Sequence, residues 1–215
     1  MSAARRLEPG SLRLVVVTDS LRDGIEGLAR RVREAVSGGA TMITLRLPGE
    51  PARVLADAAR ALLAAAPEVP LLVSGRVDVA LAVNAAGAHL GSEDLPVTAA
   101  RRFVPERFIL GVSVGSAEDA AHAANADFAA IGPVYSATAM GGAPSEQSLG
   151  ADGFATLARL CDVPVVGIGG VSPANARGLT ASGAAGVAVI SALVGASDPR
   201  GAARALRASL DASER

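Results

Sequence analysis

Short apolar runs alternate with longer amphipathic stretches along the whole of this 215-residue chain. Runs rich in Val, Ile and Leu read as buried strands. Stretches with apolar residues three or four apart read as helices. The pattern predicts strands over Leu12–Thr18, Thr41–Arg46, Pro70–Ser74, Ala88–Leu90, Phe108–Ser113, Phe128–Gly132, Pro164–Ile168 and Gly186–Ile190. Between them it predicts helices over Gly27–Ser37, Ala52–Ala66, Ser116–Ala124, Ala151–Leu160 and Pro173–Ser182. Shorter helices are expected from Val77, Pro96 and Ser191, with a final one from Pro199. Gly38-Gly39 after the first helix and Pro67 after the second supply stop signals. Eight strand-then-helix units predict an α/β fold, a single-domain (β/α)8 TIM barrel over residues 12–215. An open doubly wound sheet is the main rival, and the absence of G-x-G-x-x-G after the first strand weighs against it. Residues 1–11 read as a disordered N-terminus.

Composition narrows the partners. Half of the residues are hydrophobic, enough for a large core, while aromatics make up 2%, too few for base-stacking surfaces. The formal net charge is -1 with both signs interspersed, which gives no polyanion or membrane-surface footprint. No nucleic acid or membrane partner is expected. The apolar run Leu14–Val17 is too short for a signal peptide or membrane span, so the chain reads as cytoplasmic. Cys161 is the only cysteine, so no intramolecular disulfide forms. With two histidines, zinc ligation of the usual kind is not expected. Oligomeric state is left open, a homodimer included.

In a TIM barrel the chemistry sits where strands end and loops begin. Val165-Val166-Gly167-Ile168-Gly169-Gly170 and Gly186-Val187-Ala188-Val189-Ile190-Ser191 each end a strand in small residues before a helix. Glycine lets backbone N–H groups approach a phosphate closely, and a helix start favours negative charge. Gly169, Gly170, Ile190 and Ser191 are therefore the predicted phosphate cup, and the expected partner is a small phosphorylated substrate. Arg46 ends the second strand, where its guanidinium suits phosphate oxygens; an ion pair with a loop carboxylate is the alternative. Asp94 reads either as a Mg²⁺ ligand or as a cap of the fourth helix or its loop. Ser113 ends strand five without an evident His-and-acid pattern, so it reads as a ligand hydrogen-bonding residue rather than a triad nucleophile. His89, alone in an apolar strand, reads as a hydrogen-bonded core residue, and His122 as structural. The loop Pro133–Gly150 is long enough for a lid or binding loop, and Thr138 within it is a candidate phosphate contact.

From about Leu12 to Leu210 the chain resembles the thiamine phosphate synthase superfamily, which includes the thiazole tautomerases. The matching stretches are Leu14-Val-Val-Val-Thr-Asp19, Leu45-Arg46, Gly75-Arg-Val-Asp-Val-Ala-Leu-Ala82, Gly87-Ala-His-Leu-Gly-Ser-Glu-Asp-Leu-Pro96, Ile109-Leu-Gly-Val-Ser113, Gly132-Pro-Val-Tyr135, Val166-Gly-Ile-Gly-Gly-Val171 and Gly186-Val-Ala-Val-Ile-Ser-Ala192. The resemblance implies a TIM barrel and a transferase: a pyrimidine methyl diphosphate loses diphosphate, and a thiazole phosphate nitrogen captures the carbocation. It implies Mg²⁺ with basic residues at the diphosphate, Arg46 and Ser113 as catalytic residues and Asp94 as a metal carboxylate. Several positions depart from that pattern. Pro48 stands where the family has lysine, and Ser74-Gly75 stands for Asn-Asp, which removes the other metal carboxylate. Ala137-Thr138-Ala139-Met140 replaces a segment with two threonines and a lysine, and Gly115 takes the place of the tautomerase histidine. These departures keep an alternative open: a non-transferase relative that binds thiazole phosphate or another small phosphate ester, as a binding or regulatory protein or an isomerase.

Overall fold

The apolar runs fold into eight short strands: Leu14–Val17 (β1), Met42–Leu45 (β2), Leu71–Ser74 (β3), Gly87–Leu90 (β4), Ile109–Val114 (β5), Phe128–Ile131 (β6), Val165–Ile168 (β7) and Gly186–Val189 (β8). The structure is a computed structural model that describes residues 7, 8, 10–135 and 148–212. Every strand pairs in parallel with its sequence neighbours, and β1 pairs with β8 (Val15 beside Ala188), so the sheet closes into an eight-stranded barrel. The helices are Gly24–Ser37 (α1), Ala52–Ala65 (α2), Val77–Ala82 (α3), Val97–Ala100 (α4), Ala117–His122 (α5), Gly150–Ala158 (α6), Ala176–Ala181 (α7), Ser191–Val194 (α8) and Pro199–Asp211 (α9). The expected (β/α)8 TIM barrel is the observed fold.

Strand residues point alternately outward and inward, and this splits the core in two. Leu14, Val16, Ile43, Leu45, Leu71 and Val73 join Leu28, Val32, Leu55 and Leu62 of the helices in an outer layer. Val15, Val17, Met42, Leu72, Ile109, Phe128, Ala130, Val166 and Ala188 form a separate inner cluster. Each large side chain fully buried in either layer is worth about 1.5–3 kcal/mol. The strands read as continuous hydrophobic runs because both faces are buried. Toward the C-terminal ends the inner positions shrink to Thr44, Ser74, Ser113, Ala130 and Ala188, and the barrel opens there rather than filling.

The element boundaries shift locally. α1 starts at Gly24, three residues before the expected start. α5 stops at His122 and continues as a 3-10 turn over Ala123–Asn125. α7 starts at Ala176 instead of Pro173, because the Asn175 side chain accepts a 2.8 Å bond from the Ser172 N–H and holds the preceding residues in a turn. Of the predicted N-terminal tail, residues 1–6 and 9 lie outside the described residues. Leu7 packs against the inner cluster, and the Ser11 carbonyl accepts a 2.9 Å bond from the Thr41 hydroxyl. Among the described residues no helix is long and apolar enough to cross a membrane.

Candidate active site

A cavity of about 870 Å³ opens at the C-terminal ends of the strands. Its floor is apolar, made by Val15, Phe128, Ala130, Val166 and Ala188. Polar side chains stand above it: Asp19 after β1, Thr44 and Arg46 from β2, Ser74 from β3, His89 from β4, Asp94 and Ser113. Gly169, Gly170, Ile190 and Ser191 close the β7–β8 side. The structure therefore gathers Arg46, Asp94, Ser113 and the four predicted cup residues around one mouth. Thr138, like Ala137 and Met140, lies outside the described residues.

The floor rests on a glycine. A Cβ at Gly111 would lie 2.3 Å from Phe128 Cζ and 2.8 Å from His89 Nδ1, so the Phe128 ring occupies the space a side chain there would need. Phe128 and His89 meet with ring centroids 5.8 Å apart at 42°. His89 Nε2 lies 3.0 Å from the Ser113 hydroxyl, a hydrogen bond whose direction depends on the tautomer. Burial pushes the imidazole down to about 4, against the opposing pull of the Asp94 carboxylate, so it is neutral at pH 7. The sequence offers no His-and-acid pattern at Ser113; the structure sets a histidine beside it, without an acid among the described residues. The two residues are 24 apart in sequence, and only the β4–β5 register, with His89 level with Gly111, sets Ser113 over the imidazole. No acid completes a triad in the described contacts, so the pair positions a ligand rather than forming an activated nucleophile.

Arg46 is held by its backbone and free at its tip. The fully buried Thr18 hydroxyl donates to the Arg46 carbonyl and accepts from the Arg46 N–H, both at 3.0 Å. The exposed guanidinium forms no ion pair with any described residue. Arg76, which follows β3 and is not among the residues lining the cavity, is tied to Asp78 by bonds of 2.8 and 2.6 Å. This hydrogen bond holds the Asp78 carboxyl below the usual carboxylate range. No lysine occurs anywhere in the 215 residues, a feature with direct bearing on anion binding that composition alone shows.

Asp94 belongs to its own loop. Its Oδ2 accepts from the Gly91 N–H at 2.7 Å, while its N–H donates to the Gly91 carbonyl at 3.2 Å. The cap of α4 is Pro96, without a side-chain bond, so Asp94 caps the loop and not the helix. Facing it, Gly75 adopts φ +70, and a Cβ there would come within 2.9 Å of Asp94 Oδ1. Mg²⁺ demands near-octahedral oxygen ligation. The side that would supply a second carboxylate is a glycine pressed against the first. Among the described residues no three His, Cys, Asp or Glu side chains converge to hold a metal. Asp94 is one carboxylate with no second one facing it, and the described side chains alone do not complete a Mg²⁺ shell.

The glycine cup is built from strained backbone. Gly169 and Gly170 have φ of +96 and +61, and a Cβ on Gly170 would sit 2.8 Å from the Tyr135 carbonyl oxygen. Only glycine takes both the conformation and the approach. Asn175 Nδ2 donates to the Gly170 carbonyl at 3.0 Å and fixes the turn. The N–H groups of Gly169, Gly170, Ser191 and Ala192 donate to no described group, leaving four donors around the cup. Consecutive backbone donors of this kind make an anion-binding concavity.

A model of the thiamine monophosphate synthase family matches residues 14–193. The thiamine-phosphate synthase of Azorhizobium caulinodans is 41% identical over 211 residues, covering 96% of this chain and 99% of that one. That of Moorella thermoacetica is 42% identical over 197 residues, covering 90% and 92%. The solved thiamine phosphate pyrophosphorylase of Pyrococcus furiosus superposes with a TM-score of 0.83 at 36% identity, over 95% of this chain and 98% of that one. By family match, near-complete coverage and shared barrel, this chain belongs to the thiamine monophosphate synthase family.

Proposed function

We propose that this chain joins a pyrimidine methyl diphosphate to a thiazole phosphate, releasing diphosphate and forming thiamine phosphate. The observation that carries the reading is 41–42% identity to thiamine-phosphate synthases over nearly the whole chain, on a barrel with an open polar mouth. The bond from the pyrimidine methylene carbon to diphosphate oxygen breaks, and the electron pair leaves with the diphosphate. The thiazole nitrogen lone pair then forms the new C–N bond, leaving the thiazolium charge on the product. The glycine cup holds the thiazole phosphate, and Arg46 holds the departing anion. Ser113 and His89 orient the pyrimidine. A neutral His89 sets no positive charge against the cation developing above the apolar floor. The substrates are small phosphorylated molecules, and we place the reaction in the cytoplasm, without nucleic acid or membrane partners. Whether it runs in a homodimer is read by sedimentation.

The test is product formation by the purified chain from both substrates, followed by mass, beside Arg46→Met. Product from the wild type with at least a tenfold loss in the variant supports the reading. One observation favours the second reading, a relative that binds thiazole phosphate without transfer: Arg46 is the only cation not already neutralised among the described side chains lining the mouth. Folded protein that is stabilised by thiazole phosphate yet gives no product selects it.

A further inference from the structure

Two features of the mouth fit together. A diphosphate needs countercharge, and a protein supplies it with cationic side chains or with a metal held by carboxylates. At this mouth the first source is narrow. Arg46 projects its guanidinium without an ion pair to any described residue, Arg76 is engaged by Asp78, and the chain contains no lysine. The segment 136–147, which is not described, is Ser-Ala-Thr-Ala-Met-Gly-Gly-Ala-Pro-Ser-Glu-Gln and carries no basic residue. The second source is narrow too. Asp94 Oδ2 accepts from the Gly91 N–H, and the residue facing Asp94 is Gly75, which brings no second carboxylate; Asp19, the other carboxylate lining the mouth, follows β1 and accepts from the Ser20 hydroxyl.

We propose that this chain recognises the diphosphate end of its ligand without a divalent cation, through the Arg46 guanidinium, and that Asp94 is a loop-capping residue. The proposal rests on the synthase reading for the diphosphate as ligand, but concerns how that group is bound. A guanidinium offers paired donors matched to phosphate oxygens, so a single arginine supplies both charge and orientation. Thr18, bridging the backbone N–H and C=O of Arg46 inside the barrel wall, makes that orientation a property of β1 and β2 rather than of a mobile loop.

The experiment is calorimetric titration of the full chain with inorganic pyrophosphate, with Mg²⁺ and with EDTA, on wild type, Arg46→Met, Arg46→Lys and Asp94→Asn. The expected result is a wild-type Kd that changes by less than about threefold between the two buffers. Asp94→Asn keeps an acceptor for the Gly91 N–H and should bind within the same range. Arg46→Met should bind at least about tenfold more weakly, with Arg46→Lys between them. Binding that needs Mg²⁺, or that falls tenfold or more in Asp94→Asn with an unchanged unfolding midpoint, overturns the proposal. So does the absence of heat in both buffers. A chain that forms no thiamine phosphate but binds pyrophosphate equally with and without Mg²⁺ refutes the synthase reading and leaves this one standing.

Discussion

Protonating His89 should weaken the fold over a defined pH window. In the unfolded chain the imidazole takes a proton near its ordinary value of 6.5; in the barrel it resists until about pH 4. Below 6.5 the unfolded state therefore binds more protons, and stability falls as pH drops. The loss begins near 6.5, grows until about 4, and stops growing below that. At about 1.4 kcal/mol per pH unit the full window is worth at most about 3.5 kcal/mol. The ring borders an open mouth, where water screens part of the charge, so we expect about 1–3 kcal/mol. Urea unfolding of wild type and His89→Gln at intervals from pH 7 to 4 measures it. The glutamine carries no titrating proton, so the difference in stability between the two proteins should shrink as pH falls. Ring-proton NMR gives a direct check, since His122 is the only other histidine. An unchanged pH slope in His89→Gln, or a His89 resonance that titrates near 6.5, would refute the assignment of a neutral, buried imidazole.

Other outcomes follow from particular contacts. Thr18→Val leaves the Arg46 N–H and carbonyl without their side-chain partner inside the barrel; thermal unfolding should show a loss of about 1–3 kcal/mol, and calorimetry should show weaker pyrophosphate binding. Gly170→Ala forces a Cβ against Tyr135 at φ +61, so binding of thiazole phosphate should fall at least tenfold while the fold loses about 1–3 kcal/mol. Asp127→Ala strips the ion-pair partner from the largely buried Arg101 and the acceptor from the Leu110 N–H, and should cost about 3–5 kcal/mol in chemical denaturation. Arg76→Met, which breaks an exposed pair, should shift stability by less than about 1 kcal/mol and leave turnover unchanged.

The barrel was legible because its strands are buried on both faces, so most appear as short apolar runs, such as Leu-Val-Val-Val in β1 and Leu-Leu-Val in β3. The cup was legible for a related reason: a glycine pair at a strand end, as in Gly169-Gly170, states a backbone requirement in the sequence itself. Side-chain partnerships were not. Asp94 stood between metal ligand and cap, and the choice depends on where the Gly91 N–H points, which is set by the loop's path. The His89–Ser113 bond depends on strand register, a quantity fixed by closing the barrel and written in neither strand. The starts of α5 and α7 lie after Ser116 and Asn175 because those side chains recruit local backbone donors, a competition that periodicity does not display.

Pairing of β1 with β8 has a consequence in time as well as in space. The proposed cup follows β7 and β8, whereas Arg46 ends β2, so the two anion-binding ends belong to opposite termini of the chain. They become neighbours across the seam where β8 meets β1, reinforced by the Arg31 side chain of α1 reaching the Val194 and Ala196 carbonyls. A nascent chain on the ribosome, however much of its first six units has folded, holds half a site. Ligand affinity should appear abruptly once β8 has emerged and paired with β1, and any circular permutant that reopens the barrel elsewhere should keep it as long as this seam is covalently continuous.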